Sequence, residues 1–346
     1  MNLFLEDKSK SVLTKILVFL LIVITMADVY LLTKKLSSRP EPLSPLVKAV
    51  RVWQIKSVDT MKYSRDPSAA KLNDPTFDVV IDTQVKAVAQ TGANTVAIAT
   101  PYDDKFVPIL TRWVNAARRN NLKVWFRGNF SAWEGWFGQD SNLTRDEHLK
   151  MMQSFIQKNP GLFADGDFFS PCPECENGGP GDPRKGDVSG FRKFMIGEYK
   201  ACEEEFKNIG KNVTCNLASM NLDVAKLVMD RETAKAMGGV VVIDHYVKSP
   251  QKLASDISDL EEKSQAKVFL GEMGAPIPDI NGKLTDQEQA DWLEAALLGV
   301  SKDPQVIGLN YWTSFGGSTA IFNNDSTPKP AAGVLTKYFN LQSLPD

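Results

Sequence analysis

From about residue 49 onward, short apolar runs alternate with stretches whose apolar residues recur every three or four positions. The runs read as strands at Val52–Val58, Thr95–Thr100, Lys123–Phe130, Asp167–Cys172, Val213–Ala218, Val240–Tyr246, Lys267–Met273 and Val306–Trp312. Between them, Phe77, Ile81, Val85 and Val88 share one helical face, as do Phe106, Leu110 and Trp113, and Leu253, Ile257 and Leu260. Thr144-x-x-Glu147 and Thr285-x-x-Glu288 each fit a capping box at a helix start. Eight strand–helix units over about 295 residues predict an α/β fold, a (β/α)8 TIM barrel. A doubly wound sheet would carry a glycine-rich phosphate loop after its first strand; the stretch there is DTMKYSRD.

The chain before this region is a different material. After a short tail, residues 1–15, Ile16 to Leu32 reads ILVFLLIVITMADVYLL, with Asp28 as its one charge. That length is the lower end of what spans a bilayer. No small-x-small cleavage site follows, so the segment is expected to be an uncleaved transmembrane signal anchor. Basic residues flank both sides, which leaves its orientation open. Residues 33–48 contain SSRPEPLSP, a stiff proline-rich spacer. The expected layout is a single-pass anchor, a linker and an extracytoplasmic barrel over 49–346, or a secreted barrel if the segment is cleaved.

Lys and Arg total 40 against 42 Asp and Glu, a net charge of -2. Such a chain has no bulk electrostatic reason to bind nucleic acid. Its four cysteines are too few and too irregularly spaced for a disulfide scaffold or a structural zinc site. With His148 and His245 as its only histidines, it offers no His-rich metal site, and no metal or organic cofactor is implied. Acid–base chemistry falls to carboxylates.

A barrel places its active site at the C-terminal ends of its strands. The polar residues expected there are Tyr102, Asp103 and Asp104 after the second strand, and Arg127 and Asn129 after the third. The fourth strand leads into Glu174, Glu176 and Asn177, and the fifth into Asn216, Ser219 and Asn221. Asp244, His245 and Tyr246 end the sixth, Glu272 the seventh, and Asn310, Tyr311 and Trp312 the eighth. Glutamates on strands four and seven stand across a barrel mouth, so both can face one reacting atom. Paired carboxylates there suit acid-assisted attack at an anomeric carbon. Arg127, Asn129 and Tyr246 are candidate donors to one of them. Trp133 and Trp136 in FSAWEGWF, with Trp53 and Trp312, are candidate stacking surfaces for sugar rings; Trp113 and Trp292 fit the core, and His148 a solvated helix face. Cys172 and Cys175 sit among prolines and glycines, where a bridge would stiffen the loop carrying Glu174; Cys202 and Cys215 are either a pair or two buried thiols.

Leu270-Gly271-Glu272-Met273-Gly274-Ala275-Pro276 resembles the strand-seven nucleophile motif of cellulase-type glycoside hydrolases of clan A, which are retaining (β/α)8 enzymes of the family 5 type. Asn310-Tyr311-Trp312 is similar to that group's strand-eight Tyr-Trp. The resemblance covers about residues 50–342. It implies a glycosidase hydrolysing O-glycosyl bonds in β-linked oligo- or polysaccharides, with Glu272 as nucleophile and Trp312 as sugar platform. The group's strand-four Asn-Glu is altered: Pro173 precedes Glu174, so a contact to the sugar 2-hydroxyl falls to Asn177 or Asn129. Glu174 is the preferred acid/base because it lies nearer the strand end. Glu176 is the alternative, and strand alternation cannot separate two residues of equal parity. The group's strand-six His-x-Tyr becomes Asp244-His245-Tyr246, in which Tyr246 can still reach Glu272. Asn216, Asp244 and His245 remain candidate substrate contacts. Two rivals stand beside this reading. One is a non-catalytic carbohydrate-binding barrel, which Pro173 favours. The other is a lyase-type barrel enzyme with phosphate held at Ser314, Gly316, Gly317 and Ser318.

Overall fold

The computed structural model describes residues 52–131, 137–140 and 142–343. The apolar segment 16–32 and the two loop tryptophans, Trp133 and Trp136, lie outside the described residues. No helix among the described residues is long and apolar enough to cross a membrane.

The strands are β1 (Ile55–Asp59), β2 (Thr95–Ile98), β3 (Lys123–Phe126), β4 (Phe168–Phe169), β5 (Ser219–Asn221), β6 (Val240–Asp244), β7 (Lys267–Met273) and β8 (Val306–Tyr311). They form one parallel sheet in the order β4-β3-β2-β1-β8-β7-β6-β5. Its two ends meet at a parallel bridge between Phe168 and Thr214. There the Phe169 N–H donates to the Thr214 carbonyl at 2.9 Å and the Thr214 N–H to the Asp167 carbonyl at 3.0 Å. The sheet thus curls into a (β/α)8 barrel with a thin seam between β4 and β5.

A longer helix follows each strand: α1 (Phe77–Gln90), α2 (Val107–Arg119), α3 (Arg145–Lys158), α4 (Val188–Asn208), α5 (Leu222–Val228), α6 (Pro250–Ser264), α7 (Asp286–Ser301) and α8 (Pro330–Phe339). Both capping boxes form, at Thr144/Glu147 and Thr285/Glu288.

Strand alternation sorts the side chains into two layers. Ile55, Ala97, Trp125, Leu217, Val240, Val242, Phe269 and Ile307 fill the barrel interior. Their neighbours in sequence, such as Val124, Phe126, Val241, Ile243, Val268 and Leu270, pack outward in the helix-facing core. On β3 the inward positions are therefore Trp125 and, just past the strand, Arg127.

Three expectations are corrected. The fifth strand pairs over Ser219–Asn221 rather than Val213–Ala218, because only Thr214 of the earlier stretch meets β4. Trp53 precedes β1 and is buried against Tyr338 and Phe339 of α8, with ring centroids 6.2 and 6.4 Å away, so it lines no cleft. His148 is fully buried between the rings of Phe130 and Phe194, and its Nδ1 lies 3.0 Å from Glu198 Oε1. On α3 it faces α4, not solvent.

Candidate active site

The C-terminal mouth of the barrel is organised around one buried cation. Arg127 is 0% exposed. Its Nη1 donates to Asp59 Oδ2 and Glu272 Oε1, both at 2.7 Å, and its Nη2 to Asp244 Oδ2 at 3.0 Å and Ser219 Oγ at 3.3 Å. The guanidinium lies over the Trp125 ring, 4.6 Å from its centroid, so the apolar interior ends in a cation–aromatic layer. The Trp125 indole N–H is used by Ser170 Oγ at 2.9 Å.

Asp59 ends β1. It accepts the Met61 N–H at 2.6 Å and the Asn310 side-chain amide at 3.1 Å. Asn310 also donates to the Gly271 carbonyl at 2.9 Å and accepts from Ser57 Oγ at 2.7 Å. β8 is thereby tied to β1 and β7 at the level of the site.

Asp244 and Glu272 face the same interior because of a bulge. Ile243 pairs with Leu270, but Asp244 pairs with Glu272, so Gly271 is the extra residue. A Cβ at Gly271 would lie 2.4 Å from Asp244 Oδ1 and 2.8 Å from Val242 Cγ1. Gly271→Ala is therefore expected to lower stability by about 1–3 kcal/mol, the usual cost of overpacking. Urea unfolding of the variant checks this; an unchanged midpoint would mean the site has slack.

Glu272 is 6% exposed. Its Oε1 takes Arg127, and its Oε2 takes the Tyr246 hydroxyl at 2.6 Å. Burial, aided by the neighbouring carboxylate, pushes Tyr246 well above its usual range, so it remains the donor. The Tyr246 ring meets Trp312 edge-on at 5.8 Å. Trp312 is half-buried, with the Lys62 ammonium 5.4 Å from its ring centroid.

Glu174 follows the short β4. One carboxylate oxygen each from Glu174, Asp244 and Glu272 lies within 4.8 Å of the others. A trio so spaced can ligate a cation. Here Arg127 already supplies positive charge to two of the three. Burial raises the pKa of Asp59 and raises that of Asp244 much further; Arg127 opposes the shift and Glu272 adds to it.

Other candidates lie elsewhere or do structural work. His245 alternates outward between the inward Asp244 and Tyr246, and its Nε2 meets Asp256 of α6 at 2.9 Å. Burial lowers its pKa against the pull of Asp256. Asn216 precedes β5 and lines a cavity at the opposite, N-terminal end of the barrel with Lys123, Val240 and Lys267. Asn129 Oδ1 accepts from Phe130 N, Ser131 N and Ser131 Oγ at 2.8–3.2 Å, and its Nδ2 donates to the Pro173 carbonyl at 3.3 Å. It shapes its own loop and braces the loop of Glu174, and it does not touch Glu272. Asn177 accepts from Arg184 and Asn221, each at 3.3 Å. Glu176 is 5% exposed and turned to the Asn221 N–H, outside the carboxylate trio. Cys172–Cys175 and Cys202–Cys215 are both disulfides. The sequence reading missed Asp59; its only signal was an acid directly following an apolar strand.

No family model and no curated protein matches this chain. Solved structures do. A GH5_18 protein of Streptomyces cattleya in complex with Manβ1-4GlcNAc superposes with a TM-score of 0.60 at 16% identity, covering 82% of this chain and 79% of that one. A GH113 β-1,4-mannanase gives 0.52 at 13% identity, covering 84% and 99%. This chain has the fold of clan A glycoside hydrolases. A β-glucuronidase of Ruminococcus gnavus gives 0.53 at 12% identity over 75% of this chain, which spans about half of that protein's length, 46%. At these identities the likeness concerns the fold, and chemistry must be argued from the site.

Proposed function

We propose that this protein is a retaining glycoside hydrolase acting on β-linked glycans. The observation that carries the reading is the approach of Glu174 and Glu272 to within 4.8 Å at the barrel mouth. Retaining enzymes hold their two carboxyl groups about 5–5.5 Å apart, whereas inverting enzymes leave about 6.5–9.5 Å for a water. In the first step Glu272 attacks the anomeric carbon as the bond to the leaving oxygen breaks, and that oxygen takes the proton of Glu174. Water then attacks the glycosyl ester, gives its proton to Glu174 and releases Glu272 as carboxylate. Arg127 and Tyr246 each hold one oxygen of Glu272, which fixes the attacking geometry. Trp312, beside Tyr246, offers a ring for stacking the reacting sugar. Trp133 and Trp136 are proposed as further stacking rings for sugar, and segment 16–32 is proposed to tether the enzyme to a membrane, which cell fractionation tests.

A panel of aryl β-glycosides and oligosaccharides tests the reading: at least one should be hydrolysed. Pro173 supports the rival carbohydrate-binding barrel, because it offers no side-chain donor beside Glu174. Glycan binding by calorimetry without turnover of any panel member would favour that rival.

A further inference from the structure

We infer that Glu176 is a positioning residue for Glu174: its carboxylate stands in for a backbone carbonyl at the seam between β4 and β5 and so fixes where Glu174 presents its acid. The inference rests on the glycosidase reading and deepens it.

The seam is the weakest joint of the barrel. β4 and β5 span only Phe168–Phe169 and Ser219–Asn221, and the bridge at Thr214 lies below the site. Higher up, the Glu174 N–H donates to the Ser219 carbonyl at 2.8 Å. Had the chain stayed extended, the Glu174 carbonyl would have met the Asn221 N–H; here it accepts from the Asn177 N–H at 2.8 Å instead. The chain does not stay extended. Glu174 is left-handed, at φ 44° and ψ 47°, and Cys175–Asn177 form a 3-10 turn. The Asn221 N–H is met instead by Glu176 Oε1, at 2.6 Å. One residue before and one after, the segment is held by Asn129 on the Pro173 carbonyl and by the Cys172–Cys175 bridge. Glu174 is thus clamped on both sides.

The arrangement has a cost. The second oxygen of Glu176 is buried and has no hydrogen-bond partner. Burial raises its pKa to about 7, with Arg184 pulling down and Asp223 pushing up from the adjoining loop and α5. Among the described residues, the hydrogen bond that this buried carboxyl makes to another segment is the one to the seam amide, and that bond accounts for its burial. Its orientation also removes it as an alternative acid.

The test compares Glu176→Ala, Glu176→Gln and Glu174→Gln on two aryl β-glycosides. One has an activated dinitrophenolate leaving group, which needs no proton; the other has a poor leaving group, which does. Displacing the acid should cost Glu176→Ala about 10²-fold in kcat/KM on the poor leaving group, with little change on the activated one. Glu176→Gln should recover most of the loss, because its amide carbonyl can still accept from Asn221. Equal losses on both substrates, no loss in Glu176→Ala, or a Glu176→Gln variant as impaired as Glu174→Gln would each overturn the inference. If the wild type cleaves neither substrate, the glycosidase reading fails by itself. Amide exchange at Glu174 and Asn221 then decides the seam, which Glu176→Ala should loosen and Glu176→Gln should not.

A raised carboxyl pKa means that ionisation works against the seated loop. The wild type should therefore lose stability relative to Glu176→Gln as pH climbs from about 4.5 through 7, and no further above that. A difference in melting temperature that stays flat across that window would contradict the burial of this carboxyl.

Discussion

Glu272→Gln is expected to abolish turnover while leaving the fold and glycan binding in place. The amide matches the carboxylate in shape, so its carbonyl can still accept from Arg127 or Tyr246, both of which now hold Glu272 at 2.6–2.7 Å. It cannot form the glycosyl ester. Loss of a covalent nucleophile should reduce kcat on the order of 10⁴-fold or more. Stability should change little, because two effects oppose each other: Arg127 gives up one ion-pair partner but keeps Asp59 and Asp244. Glu272 pushes up the pKa of both Asp59 and Asp244, and removing one negative charge from a buried group of three relieves that repulsion. Kinetics, calorimetry and a melting curve on the one variant check all three statements. A carbohydrate-binding barrel would show only an altered affinity.

Arg127→Met is expected to be the most destabilising single exchange at the site. It removes the one cation that, among the described residues, is bonded to Asp59, Asp244 and Glu272, and leaves three carboxyls buried around a thioether. Breaking a buried charge pair from one side costs about 3–5 kcal/mol, enough to bring a marginal domain near unfolding. The deficit should depend on pH with a definite sign. Asp59 and Asp244 already have raised pKa values in the folded protein, and losing the Arg127 attraction raises them further. Groups of this kind cost nothing below the unfolded carboxylate pKa of about 4 and cost progressively more as pH rises toward the folded value. Melting temperatures of the variant should therefore lie nearest the wild type at acid pH and furthest from it at neutral pH. Arg127→Lys should recover only part of the loss, since a point charge cannot reach three carboxylates with a planar fork. A deficit independent of pH would mean that packing over Trp125, rather than charge, holds the centre.

The elements most legible in the sequence were those that obey simple alternation. β7 was read to the residue, Lys267–Met273, and β6 nearly so, because both are long and apolar. For the same reason Glu272 is legible near the end of β7, and Tyr246 just past β6. Where the backbone leaves the extended form, the reading lost its footing. Equal parity could not separate Glu174 from Glu176, and the left-handed turn at Glu174 is what separates them. Val213–Ala218 reads as the fifth strand, which puts Asn216 at the mouth, but the paired residues start only at Ser219. Asp59 escapes the pattern because the apolar run of the first strand ends at Val58, one residue before the strand does. His148 reads as solvated because its partner, Glu198, is 50 residues away, and nothing local marks a helix face as covered by another helix.

The central claim is a double displacement at Glu272, and the stereochemistry of the first product tests it most directly. An aryl β-glycoside that the enzyme turns over would be followed by proton NMR from the first minutes, before mutarotation mixes the anomers. The β-anomer is expected as the first-formed sugar. First release of the α-anomer would mean that water attacks directly and Glu272 serves as a base, contradicting the nucleophilic role argued from its approach to within 4.8 Å of Glu174.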